Sequence, residues 1–133
     1  MGISKKEKTF AFISPINWYI AGIMIRFEGN DENQNNVNRR CLVWENQHLI
    51  KAKNPDEAYK KALKIGKDSE SEYVNTDGES VRWIFEGLTT LIPVYEELED
   101  GAEIMWIKHE NKAVKTIRSR VKSKENLEVF QKD

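Results

Sequence analysis

The residues able to do covalent or metal chemistry are few in this chain: one cysteine, Cys41, and two histidines, His48 and His109. Cys41 and His48 fall on one predicted strand with an odd separation, which places them on opposite faces, so they form no couple. One cysteine and two histidines are a thin set for a zinc site, and a single cysteine excludes an internal disulfide framework. Asp31, Asn33 and Asn35 copy the first three ligands of a calcium loop. That loop would then need Gly and Glu where Asn36 and Leu42 stand, so the segment reads as a polar loop. The glycines follow neither dinucleotide-binding nor P-loop spacing. The adjacent acids Glu96-Glu97 and Glu99-Asp100 read as solvated surface, with no neighbour suited to general acid–base work. No catalytic constellation emerges, and neither a metal nor a cofactor is expected.

Charge is the more informative feature. A formal net charge of −1 gives no global bias toward nucleic acid or anionic membrane, but it conceals a segregation. Glu86 to Glu103 holds six acidic residues and no basic one, and Lys108 to Lys124 holds seven Lys/Arg against Glu110 alone. Three arrangements suit this pattern. The basic segment can fold back on the acidic one, or on that of a second copy in a homodimer. The acids Glu96, Glu97, Glu99, Asp100 and Glu103 can dock a basic protein, where complementary charge speeds association and selects the partner. Lys115, Arg118, Arg120, Lys122 and Lys124 can grip phosphate backbones, with Lys60, Lys61 and Lys64 extending the footprint. Against the last, the basic segment has no aromatic residue before Phe130 on which a base could stack. Arg82 lies between Val81 and Trp83 and should face away from the buried side of its strand. It is placed to pair with Glu45 or Glu86, or to bind an anionic ligand.

The positioning elements follow from spacing. Asn54 is an N-cap, Pro55 suits the first helical position, and Glu57 can close a capping box. Ala58, Ala62 and Ile65, with Tyr59 and Leu63, share one face; Lys60, Lys61 and Lys64 take the other; Gly66 suits the helix end. Trp18 to Phe27 is apolar at nearly every position, as a strand covered on both faces would be. Residues 28–40 read as an asparagine-rich loop, and Cys41 to Ala52 as a second strand. Asp77-Gly78 signals a hairpin, Val81, Trp83 and Phe85 alternate, and Gly87 marks a bulge. Residues 67–73 read as a fraying turn. Thr89 to Glu97 is β-rich but holds Pro93, which suits a sheet edge or a break in pairing. Phe10 to Ile13 and Ala102 to Lys108 read as short strands. Val114, Ile117 and Val121 fit a helical stripe.

These segments also resemble a known family. The Trp18-Tyr19 strand opening, the run WENQHLIKAKNPDEAYKKALKIG from Trp44 to Gly66, the hairpin VNTDGESVRWIFEGL from Val74 to Leu88, and EELEDGAEI from Glu96 to Ile104 together look like the bacterial domain-of-unknown-function family DUF4288. The resemblance covers about residues 17–105. It implies a small cytosolic bacterial domain and carries over no catalytic residue. The asparagine-rich loop and the basic extension past about residue 107 depart from the family pattern.

The sequence therefore predicts an α+β domain over 10–107, with an antiparallel sheet carrying one well-capped helix on a face in the order β–β–α–β–β(–β). A charged tail, 1–9, precedes it, and a basic amphipathic helical extension, 108–133, follows. The apolar run near the N-terminus is broken by Ser14, Pro15 and Asn17 and is short for a bilayer span, so a cytoplasmic setting without membrane contact is expected. The functional expectation is a non-enzymatic binding protein, foremost an immunity- or inhibitor-type protein that neutralises a basic toxin through its acidic surface. The alternatives are a nucleic-acid-associated protein and a self-associating structural domain.

Overall fold

The computed structural model describes residues 12–29 and 36–132. The predicted calcium-loop mimic at Asp31, Asn33 and Asn35, and the first half of the predicted Phe10–Ile13 strand, lie outside the described residues; Phe12 and Ile13 are exposed coil. Four strands form one antiparallel sheet: β1 (Trp18–Gly29), β2 (Val43–Lys51), β3 (Ser71–Val74) and β4 (Ser80–Pro93), in the order β2-β1-β4-β3. One helix, α1 (Pro55–Asp68), lies on a face of this sheet. The expected α+β class is thus what the chain adopts.

α1 begins as its sequence dictates. Asn54 is extended, and its Oδ1 accepts the Glu57 amide at 2.8 Å. Glu57 also pairs with Lys61 at 3.5 Å, one turn on. Ala58 and Ala62 are fully buried, but Tyr59 is half exposed, so the predicted apolar face is narrower than its residue types suggest. The helix does not stop at Gly66. It runs to Asp68 and is capped at Ser69, whose amide bonds the Ile65 and Gly66 carbonyls. Gly66 instead serves close packing: a Cβ there would sit 2.4 Å from the Phe85 ring.

The core between α1 and the sheet holds Tyr19, Ala21, Ile50, Ala52, Ala58 and Ala62, with Ile65, Leu88 and Leu91 at its margin. Ile23 and Ile50 are 0% and 2% exposed, and burial of each contributes about 1.5–3 kcal/mol. Strand geometry sends Tyr19, Ala21 and Ile23 to the helix side and Trp18, Ile20, Arg26 and Glu28 to the opposite side. β4 keeps its apolar residues on the helix side through two register shifts. Ile25 faces Phe85, Ile23 faces Leu88 and Ala21 faces Leu91, leaving Glu86 and Thr89 as the extra residues of two bulges. The alternation of Val81, Trp83 and Phe85 thus becomes a three-residue step to Leu88 and another to Leu91. Gly87, at φ 150°, lies at the first bulge, as its sequence position suggests.

Several expectations are corrected. The Asp77-Gly78 turn is flanked by β3, so residues 71–74 are a strand and not a fraying turn. Thr89 to Pro93 belongs to β4 and Pro93 ends it, after which the Val94 amide bonds the Trp18 carbonyl. Ala102 to Lys108 is not a strand. Burial of Val94 and Tyr95, and a hydrogen bond from the Glu103 amide to the Glu96 carboxylate, turn the chain back on itself, and Trp106 lies against Tyr95 at 6.0 Å. Among its described residues, the extension is helical only over α2 (Val114–Arg120), followed by two short 3-10 turns, and is exposed throughout. Among the described residues, no helix is long and apolar enough to cross a membrane.

Candidate functional site

A charged cluster occupies the sheet face opposite α1. Arg26 and Glu28 alternate along β1, and Arg82 is the cross-strand partner of Glu28 on β4, so all three project to one side. Arg39 joins them from the segment before β2. The Glu28 side chain is 1% exposed. Its Oε1 accepts from Arg39 Nε at 3.1 Å and Nη2 at 2.7 Å, while Arg26 Nη1 and Arg82 Nη2 lie 3.1 and 3.3 Å from Oε2. Burial alone would raise the Glu28 pKa, but the Arg39 and Arg26 guanidinium groups outweigh it and hold the carboxyl below its usual range. The Glu86 bulge has a local role here. The extra residue reaches across to bond Arg26 Nε, and that carboxylate, against the cost of partial burial, raises the Arg26 pKa further. Arg39 Nη1 also donates to the Asn36 carbonyl at 2.6 Å, tying the chain before β2 to the sheet.

Among the described contacts, Arg82 has Glu28 as a partner, a pairing other than the expected Glu45 or Glu86. Glu45 instead accepts from the Gln47 side chain at 3.0 Å. Sequence reasoning missed Glu28 and Arg39 because residues 28–40 read as loop throughout, and missed Arg26 because its strand was read for its apolar residues. The available signal was the Arg-x-Glu step at the end of an apolar strand, which puts two opposite charges on one face. A shallow groove of about 360 Å³ borders the cluster, lined by Arg26, Val37, Arg39, Cys41 and Glu86. Cys41 is half-buried there, precedes β2, and is not a core residue. Among the described residues, no group of three or more His, Cys, Asp or Glu is placed to hold a metal ion.

The acidic residues are gathered in one turn after β4. Glu97, Glu99 and Asp100 are exposed, and Glu96 and Glu103 are partly buried and joined by the amide–carboxylate bond between them. Ala102 N–H bonds the Glu99 carbonyl at 3.0 Å, and Gly101, at φ 84°, supplies the left-handed step. Leu98 and Ile104, 41% and 51% exposed, sit among these acids. Lys115, Arg118, Arg120, Lys122 and Lys124 are all exposed in the extension. The ion pairs seen there are local, Lys108–Glu110 at 2.9 Å and Lys122–Glu128 at 3.0 Å.

The strand, helix, hairpin and acidic turn in this order match the model of DUF4288, a domain of unknown function, over residues 18–106. The chain belongs to the DUF4288 family. The matched span runs from the start of β1 to the Trp106 contact, so the DUF4288 domain comprises the sheet, α1 and the acidic turn, and the basic extension lies beyond it. No curated protein and no solved structure matches the chain.

Proposed function

We propose that this DUF4288 domain is a non-enzymatic binding protein of the immunity or inhibitor type, which docks a basic protein partner such as a toxin in the cytoplasm. The acidic turn carries the reading. It displays Glu97, Glu99 and Asp100 on a backbone fixed by its own hydrogen bonds, with Glu96 and Glu103 behind them and Leu98 and Ile104 exposed between. A preformed acidic surface with apolar residues inside it suits a basic face: charge steers the encounter and desolvated apolar contacts hold it. Exposure of all five basic residues in the extension favours a second reading, contact with a nucleic-acid backbone.

The test is affinity capture from the native cell with the tagged full chain and with a variant carrying E97K, E99K and D100K. A basic protein retained by the natural chain and lost by the variant supports the proposal. Capture of no protein, or equal capture by both, refutes it. Recovery of nucleic acid that elutes steeply with salt supports the second reading.

A further inference from the structure

We infer that the outer edge of β2 is a pairing surface for a second copy of this chain, joined strand to strand in antiparallel register. This stands apart from the acidic turn and from the proposed function.

The two edges of the sheet are treated differently. β3 covers β4 only over Ser80 to Trp83. Beyond it, the Glu70 carboxylate accepts the Phe85 amide at 3.0 Å, bulges interrupt the strand at Glu86 and Thr89, and Pro93 ends it. These are the devices that keep an edge from recruiting another strand. Among the described residues, β2 has none of these three. It runs nine residues without proline or glycine, and its pairing with β1 is regular from Val43 to Lys51.

The direction of its backbone groups is fixed at both ends. The Leu42 carbonyl accepts from Phe27 and the Ala52 amide donates to Asn17, at 2.8 and 2.9 Å. Even-numbered residues thus turn their hydrogen-bonding groups to the β1 side, and Val43, Glu45, Gln47, Leu49 and Lys51 present theirs outward. All five side chains are exposed. At the far end, Lys61 donates to the Lys51 carbonyl at 2.6 Å, which confirms that this group faces outward and leaves its second lone pair for a strand.

The sequence of β2 complements itself. With a two-fold axis at His48, Glu45 of each copy lies opposite Lys51 of the other, and Gln47 lies opposite Leu49. Both outward-bonding pairs then fall in hydrogen-bonded positions, and two symmetric ion pairs close the ladder. Shifting the axis to Gln47 puts Glu45 opposite Leu49 and loses both ion pairs. The product is one continuous sheet through both copies, formed by strand addition.

Sedimentation equilibrium on the full chain, from micromolar to millimolar concentration, tests this. The natural chain should dimerise reversibly. E45K and K51E should each raise the dissociation constant about tenfold or more, since attraction becomes repulsion at both ends. The double variant E45K/K51E should restore it. Q47P removes an outward N–H without touching the β1 ladder and should weaken the dimer while circular dichroism stays native. A monomer at every concentration overturns the inference. A dimer indifferent to E45K and Q47P, or one not restored by the double variant, overturns it equally.

Discussion

Replacing Glu28 by glutamine removes one charge from the most buried acid among the described residues and leaves its shape. Among the described residues, the three guanidinium groups contact the carboxylates of Glu28 and Glu86, and E28Q removes the charge of the one that touches all three. Breaking a buried ion pair by removing one partner costs about 3–5 kcal/mol. Here Arg26, Arg39 and Arg82 keep 21%, 18% and 43% of their side-chain exposure, so water recovers part of that loss. The expected destabilisation is therefore about 2–3 kcal/mol. It is read from urea unfolding followed by tryptophan fluorescence, with Trp83 packed edge-on to Phe27 on the other face of the same two strands. The midpoint should fall while the slope holds. The pH dependence gives an independent arm. The arginines depress the folded-state pKa of Glu28 below its ordinary 4.5, so its contribution is complete above that value and is lost as pH falls through the folded-state value. The gap between natural chain and E28Q should accordingly close on acidification. A difference under about 0.5 kcal/mol at neutral pH, the range of an ordinary surface substitution, or a gap that stays constant into acid, refutes this account of the cluster.

Two further substitutions test the packing. G66A gains about 0.8–1 kcal/mol of helix propensity but drives a methyl to 2.4 Å from Phe85; overpacking costs about 1–3 kcal/mol, so thermal melts should show a net loss, and a raised Tm would contradict it. S14A removes a hydroxyl, 3% exposed as a residue, that donates to the Val94 carbonyl and accepts from the Ile16 and Trp18 amides at 3.3 and 3.1 Å; a loss of about 1–3 kcal/mol is expected, and an unchanged Tm would show the junction to be unimportant.

Local chemistry was legible in the sequence and tertiary chemistry was not. The Asn54 cap, the Asp77-Gly78 turn and the apolar run of β1 depend on neighbours a few residues away, and each formed where its residues demand. Gly66 misled because a glycine after a helical run has two uses, ending the helix or admitting a ring, and the ring is Phe85, far along the chain. Ala102 to Lys108 alternates like a strand, but a strand needs a free edge, and the Glu96–Glu103 bond spends that backbone on a turn. Glu28 misled for a related reason. Glutamate is almost never buried unless paired, and its arginines come from three places in the chain.

The sheet order also sets a schedule for the growing chain. β1 is central, but its neighbours arrive far apart: β2 starts at Val43 and β4 only at Ser80. During synthesis at about 5–20 residues per second, β1 and β2 can close as a hairpin with α1 against them, while the other side of β1 stays unpaired for several seconds. That side belongs to the most apolar strand in the protein. The nascent chain is thus most vulnerable to misassociation after α1 has emerged and before residues 80–93 have. A stall or truncation in the Asp77-Gly78 hairpin would release a chain whose central strand has a single neighbour.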